Sequence, residues 1–180
     1  MTGWQTHGSR TAYENEWITV REDRVTRPDG AAALYGVVEL RNAAVFVVAV
    51  TDADEVVLVD LFRYATGTAS VEVPAGGSDG EDLLLAAQRE LREETGLEAG
   101  RWDAMGSMWA LNGVCRAREH VFLARDLRPV AGEAMAEEGI TAVRRVPWSE
   151  VLRMVRDGEI VDSETIASLL YAAIELGKVG

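Results

Sequence analysis

Three glutamates, Glu90, Glu93 and Glu94, stand at i, i+3 and i+4 in the run Arg89-Glu90-Leu91-Arg92-Glu93-Glu94-Thr95-Gly96-Leu97. On a helix this spacing stacks three carboxylates on one side within a turn, about 5–6 Å apart at their Cβ atoms. Like charges so placed repel, and these gather where the helix dipole also disfavours negative charge. A cation is the natural remedy. Hard divalent ions such as Mg²⁺ take carboxylate and carbonyl oxygens, keep several waters and join carboxylates to substrate phosphates. The chemistry in prospect is metal-assisted displacement at phosphorus. A plainer reading competes, because a helix rich in Glu and Arg is ordinarily a solvated face laced with i,i+4 pairs such as Arg89 with Glu93. Three glutamates alone favour the plainer reading; only their context reverses it.

That context begins with the helix, predicted from Glu81 to Gly96. Leu84, Ala87 and Leu91 recur at three- and four-residue spacing as an apolar face, and Gly96 follows as a C-terminal cap. Ahead of the helix lies the glycine-rich Ala75-Gly76-Gly77-Ser78-Asp79-Gly80, and ahead of that a strand ending near Val73, with Glu72 aimed towards the helix.

Loop and helix together resemble the Nudix hydrolase signature. Arg89 to Leu97 matches its second half at every defined position, and Glu81 sits eight residues before Arg89 as the pattern requires. Between Gly76 and Glu81 four residues intervene where the pattern has five, so the loop is one residue short. Within the family, Glu72-Val73-Pro74-Ala75-Gly76 and Ala86-Ala87 are similar to the ADP-ribose pyrophosphatase branch. The resemblance implies an α/β (α+β) fold, a mixed β-sheet sandwiched between helices with an N-terminal β-hairpin extension. Residues 1–42 would form that extension, with a possible part in dimerisation, and 43–180 the hydrolase domain.

The resemblance also implies roles. Glu90 and Glu94, with the Ala75 carbonyl, would hold Mg²⁺ or Mn²⁺, and Glu93 a further ion or its waters. Arg89 would orient these carboxylates. A loop glutamate, Glu138 or Glu137 and less well Glu133, would take the proton; the alternative is an acidic surface loop. Arg63, Glu72 and Gly76 would lie at the substrate, Arg63 through the bidentate phosphate contact a guanidinium makes well, unless it is simply an ion-paired surface residue. Trp17 or Tyr13 would lend a ring to the base from a sheet packed between the subunits of a homodimer, with ordinary strand packing as the alternative. The expected reaction is hydrolysis of the pyrophosphate bond of a nucleoside diphosphate linked to another group, ADP-ribose or a nucleotide sugar. A nucleoside triphosphate substrate and a non-catalytic nucleotide-binding module are the rivals. The branch has a proline near Ala110 or Asn112 and an acidic pair near Arg116 and Ala117; neither is present, so the leaving group does not carry over with the fold.

Composition narrows the partners. The 180 residues carry 18 Lys and Arg against 30 Asp and Glu, a formal net charge of -12, which argues against nucleic acid and suits a small nucleotide bridged by metal. Cys115 is the only cysteine, a buried or half-buried thiol by default, so there is neither an intrachain disulfide nor a cysteine metal site. The longest apolar run, Ala43 to Val50, is far too short to span a bilayer, so no membrane partner is expected and a cytoplasmic location is.

The remaining elements follow in order. One exposed strand is expected from Tyr13 to Val25, a turn at Arg27-Pro28-Asp29-Gly30 and a second strand from Leu34 to Leu40. Ala43–Val50 and Val56–Phe62 read as a central hairpin buried on both faces. Arg101–Leu111 and Glu119–Ala124 read as strands about a turn, Arg128–Gly139 as a loop and Thr141–Val146 as the last strand. Ser149 is expected to cap one helix, and Asp162 or Ser163 a final one with Ile166, Leu169, Leu170 and Ile174 on its buried side.

Overall fold

The apolar run at 43–50 becomes a strand whose valines are wholly enclosed: Val45, Val47, Val48 and Ala49 have no exposed surface in the computed structural model, which describes residues 3–130 and 139–179. This strand, β4 (Ala44–Ala49), was expected to form a hairpin with the next, β5 (Glu55–Arg63). The two instead enter different sheets, joined by a turn and a single bridge, Val50 to Val56. β4 lies beside a short antiparallel strand, β7 (Ala75–Gly77), whereas β5 is the centre of a three-stranded sheet between β6 (Thr68–Glu72) and β10 (Ile140–Pro147). An apolar run buried on both faces carries no alternation, so nothing in it selects a partner.

The chain divides into two units, one formed by Met1–Ala43 with Met108–Glu119 and one by Ala44–Ser107 with His120–Gly180. The first is built on an antiparallel meander of β1 (Gln5–Glu14), β2 (Ile18–Thr26) and β3 (Ala32–Leu40). The single strand expected over Tyr13–Val25 is thus two strands. Asn15 divides them by accepting the Trp17 and Ile18 backbone N–H groups on its side-chain oxygen, at 2.9 and 2.8 Å. β3 also pairs in parallel with the first residues of β9 (Cys115–Pro129), Val38 facing Cys115 and Glu39 facing Arg116. Seven arginines meet seven Asp and Glu in this unit, so the whole formal charge of -12 belongs to the second.

The second unit holds the helices. α1 (Leu83–Thr95) begins two residues later than the motif suggests, because Asp82 caps it, its carboxylate accepting the Leu84 and Leu85 N–H groups at 3.0 and 3.3 Å. It ends at Gly96, whose φ of 66° is the left-handed conformation that glycine adopts without a Cβ penalty. Ala86, Ala87 and Leu91 bury its apolar stripe against Val45, Val47 and Ala49 of β4 and Phe122 and Ala124 of β9. Removing most of the Leu91 side chain would cost about 2–5 kcal/mol. β8 (Leu97–Ala110) follows and pairs with β9.

Two helix expectations are corrected. α2 (Trp148–Arg156) starts before Ser149, with Pro147 at its cap and no side-chain cap bond. α3 (Ser163–Glu175) is capped by Asp162, but Leu170 and Ile174 are 53% and 63% exposed; Thr165, Ser168, Leu169, Ala172 and Ala173 face inward. The helix is apolar on nearly all sides, so periodicity does not single out a face, and small side chains let it lie against β4. Among the described residues no helix is long and apolar enough to cross a membrane.

Candidate active site

Between β6 and α1 the chain makes two sharp manoeuvres. β7 sets Ala75, Gly76 and Gly77 opposite Phe46, Val45 and Ala44 of β4. The stretch that is one residue short then closes as a tight turn from Ser78 to Glu81, with the Glu81 N–H donating to the Ser78 carbonyl at 2.8 Å. Its central residues, Asp79 and Gly80, have φ of 49° and 82°, the two positive values of a type I′ turn, for which Asp-Gly is a favoured pair. The turn lies beyond β7, so the short loop leaves Ala75 in register with β4.

Against this strand α1 presents its carboxylates. Glu90 and Glu94 are 6% and 5% exposed, and Glu93 is half-buried. Glu94 Oε2 accepts the Ala75 N–H at 3.0 Å. The Glu90 carboxylate fills the space beside Gly76 so closely that a Cβ there would stand 2.2 Å from its Oε1. Only glycine fits.

Arg89 binds the two halves of the motif together. Its Nη1 donates to Glu90 at 2.7 Å and Glu93 at 3.1 Å, its Nε to Glu81 at 3.3 Å and its Nη2 to the Gly77 carbonyl at 2.8 Å. Burial works against its charge, but the Glu90 carboxylate and the hydrogen bonds to Glu93 and Glu81 outweigh that and hold its pKa above the ordinary value. A second pair stands at the end of β5: Arg63 grips the buried Glu72 with two hydrogen bonds, at 2.9 and 2.5 Å, while remaining half exposed. Those bonds raise the Arg63 pKa against its partial burial, and the charges of Asp162 and Glu94 act in the same direction. Burial pushes the Asp162 carboxyl itself above the usual range, although it accepts the Thr165 N–H at 2.7 Å.

The structure thus brings together Ala75, Gly76, Arg89, Glu90, Glu93 and Glu94, with Arg63 and Glu72 as an ion pair whose charge Glu94 reaches. A cleft of about 650 Å³ adjoins Arg89 and Glu93 and is lined further by Arg92, Glu98, Trp102 and Arg128. Glu133, Glu137 and Glu138 lie outside the described residues. Trp17 belongs to the first unit, in the turn between β1 and β2, where it is 70% exposed; Tyr13 is 55% exposed, so neither ring is packed as a strand residue. Sequence reading had assigned Asp162 only a cap and Thr165 nothing. Yet the buried Thr165 hydroxyl accepts the Val73 N–H at 3.2 Å, a contact spanning 92 residues for which no local signal exists.

Among the described residues no three His, Cys, Asp or Glu side chains stand as a ready-made cation cluster. Arg89 draws Glu90 and Glu93, and the Ala75 amide draws Glu94. The donor set nonetheless fits a hard divalent ion. Two buried carboxylates, Glu90 and Glu94, face β7, where Gly76 leaves no room for a Cβ, their ligand atoms are all oxygens, and the Arg89 guanidinium between Glu90 and Glu93 marks a place for positive charge.

Relatives of this chain are known along most of its length. Residues 40–169 match the family profile of the NUDIX domain, and residues 4–38 that of the nucleoside diphosphate sugar hydrolase N-terminal domain. The chain is 36% identical over 170 residues to an ADP-ribose pyrophosphatase of Mycobacterium tuberculosis, covering 93% of this chain and 82% of that one. It is 31% identical over 158 residues to a GDP-mannose pyrophosphatase of Escherichia coli, covering 82% of each. A crystal structure described as an ADP compounds hydrolase shares the fold, with a TM-score of 0.86 at 20% identity, covering 97% of this chain and 95% of that one.

Proposed function

This chain belongs to the Nudix hydrolase family and is an enzyme that hydrolyses the pyrophosphate bond of nucleoside diphosphate-linked compounds; from that premise we propose that ADP-ribose or a nucleotide sugar is its substrate. The observation that carries the site assignment is the fit of Glu90 against Gly76 and of Glu94 against the Ala75 amide. Glu90, Glu94 and the Ala75 carbonyl would hold the divalent ion, with Glu93 serving a further ion or its waters. Bound Mg²⁺ or Mn²⁺ supplies charge neutralisation at the phosphate oxygens and lowers the pKa of a water. Arg89 turns the Glu90 and Glu93 carboxylates towards one side. Arg63, half exposed beside Glu72, is free to offer guanidinium N–H groups to a phosphate. Glu138 or Glu137 would take the proton from the attacking water.

Residues 1–42 are proposed as the extension that pairs two copies, supported by the exposed Trp17, Tyr13 and Leu34, and 43–180 as the hydrolase domain. The protein is assigned to the cytoplasm on its composition.

The test is phosphate release, coupled to a phosphatase, over nucleoside diphosphate sugars, ADP-ribose and nucleoside triphosphates with Mg²⁺ or Mn²⁺, beside Glu94→Gln. Turnover of ADP-ribose to AMP and ribose 5-phosphate, abolished by the variant, is expected. Turnover of triphosphates alone would overturn the substrate class, and ligand binding without turnover the catalytic reading.

A further inference from the structure

We infer that Thr165 is a positioning residue for the hydrolytic site, its hydroxyl fixing from α3 the backbone run that leads into Ala75. The inference rests on the reading that Ala75 and Glu94 hold the divalent ion.

Three consecutive residues before Gly76 are each pinned by a different element. The Val73 N–H donates to Thr165 Oγ1 at 3.2 Å, the Pro74 carbonyl accepts from Val47 N–H of β4 at 2.8 Å, and the Ala75 N–H donates to Glu94 of α1 at 3.0 Å. Pro74 has no N–H and a fixed φ, so Val73 offers the last backbone donor before the Ala75 amide. Val73 is 1% exposed and Thr165 wholly buried. Losing the hydroxyl would leave the Val73 N–H with no acceptor and no ready access to water.

Thr165 is itself well fixed. Its backbone N–H is taken by the capping carboxylate of Asp162 at 2.7 Å, and a β-branched side chain on a helix has restricted χ1 freedom. Its hydroxyl is therefore aimed at Val73 by the helix start. Thr95 provides the contrast within the same molecule: its hydroxyl donates to the Leu91 carbonyl one turn back, the ordinary local bond of a helical threonine. Thr165 instead accepts from a strand end, and its hydroxyl also bonds the Asp162 carboxylate that caps the helix. The consequence is that the angle at which the chain enters β7, and with it the direction of the Ala75 carbonyl, is set from α3 as well as from β4 and α1.

The test compares wild type with Thr165→Val, Thr165→Ser and Glu94→Gln. Binding of Mn²⁺ without substrate is followed by electron paramagnetic resonance of the free ion, beside the melting temperature, kcat and KM for ADP-ribose. Thr165→Val keeps the shape and removes both the acceptor for Val73 and the hydroxyl bond to Asp162; Mn²⁺ affinity is expected to fall about 10-fold and kcat at subsaturating metal in parallel. Thr165→Ser should stay within about twofold of wild type. A Thr165→Val protein that melts lower yet binds Mn²⁺ as wild type does would overturn the inference and leave the residue a purely structural role. If Glu94→Gln also leaves Mn²⁺ affinity unchanged, the metal assignment fails first and the inference with it. Should the valine variant not fold, Thr165→Cys, with a weaker acceptor of similar size, is measured in its place against the same criteria.

Discussion

Two arginines of this protein gather carboxylates, three around Arg153 and four around Arg89 counting Asp79 at 3.7 Å, and their settings differ in kind. Arg153 on α2 meets Glu150, Asp157 and Glu159 at 2.6, 2.8 and 2.7 Å, whereas Arg89 on α1 meets Glu90, Glu93 and Glu81 at 2.7, 3.1 and 3.3 Å. By distance alone the Arg153 group is the tighter. Its carboxylate side chains are 37–48% exposed, so water screens them and competes for them. Beneath Arg89, Glu90 retains 8% exposure of its side chain and rests on a glycine strand. Clustered charge of one composition is thus a solvated face in one place and a candidate metal site in the other. Burial of the acid, and what it is buried against, makes the difference.

The largest expected effect sets the two apart on activity. Glu94→Gln should lower turnover about 10³-fold, roughly 4 kcal/mol in barrier, with the melting temperature little changed, while Glu150→Gln leaves turnover untouched. Steady-state rates on the best nucleotide substrate decide this. Next come the glycines beside each group. Gly76→Ala would drive a Cβ into the Glu90 carboxylate and should reduce turnover more than about tenfold along with Mn²⁺ binding. Gly158, beside Asp157, has a φ of 77° and open space, so Gly158→Ala should cost only about 1 kcal/mol of conformational strain in thermal unfolding and no activity.

A third comparison uses the arginines themselves. Arg89→Ala leaves Glu90 buried with its main cation gone, a loss of about 3 kcal/mol in metal-free protein that added Mn²⁺ should partly restore in a melting experiment. The smallest effect belongs to Arg153→Ala. Hydrogen bonds from Arg153 to Glu150, and from Arg156 and then Arg153 to Asp157, hold both carboxyls below their ordinary pKa. A depressed folded pKa stabilises above the unfolded value, near pH 4, and the benefit is lost as pH falls through the folded value. Whatever melting difference separates Arg153→Ala from wild type near neutrality should therefore begin to shrink near about pH 4 and vanish once the pH falls below the lowered folded values.

The geometry of the candidate site was legible in the sequence because its parts are local. The spacing of Glu90, Glu93 and Glu94, the cap at Gly96 and the loop at Ala75 lie within one supersecondary unit, and each is fixed by short-range geometry. β1 was not legible: Gln5–Glu14 is exposed along nearly its whole length and offers no alternation to read. The separation of β4 from β5 was hidden for the opposite reason, since both runs are apolar at nearly every position, Asp60 being the exception in the second. The hold of Thr165 on Val73 joins distant parts of the chain, and a threonine in a helix gives no sign of such a partner.

The confinement of all net charge to the second unit has a kinetic corollary. A nucleoside diphosphate derivative is an anion, and it must diffuse towards a body of formal charge -12 carried by the unit that holds Glu90, Glu93 and Glu94. Its encounter is slowed by a repulsive field, the reverse of electrostatic steering. Added monovalent salt, which shortens the Debye length to about 8 Å at physiological strength, weakens that repulsion. At fixed free divalent ion, kcat/KM should accordingly rise with ionic strength over the dilute range, and this enzyme should work faster in saline than in a salt-free buffer.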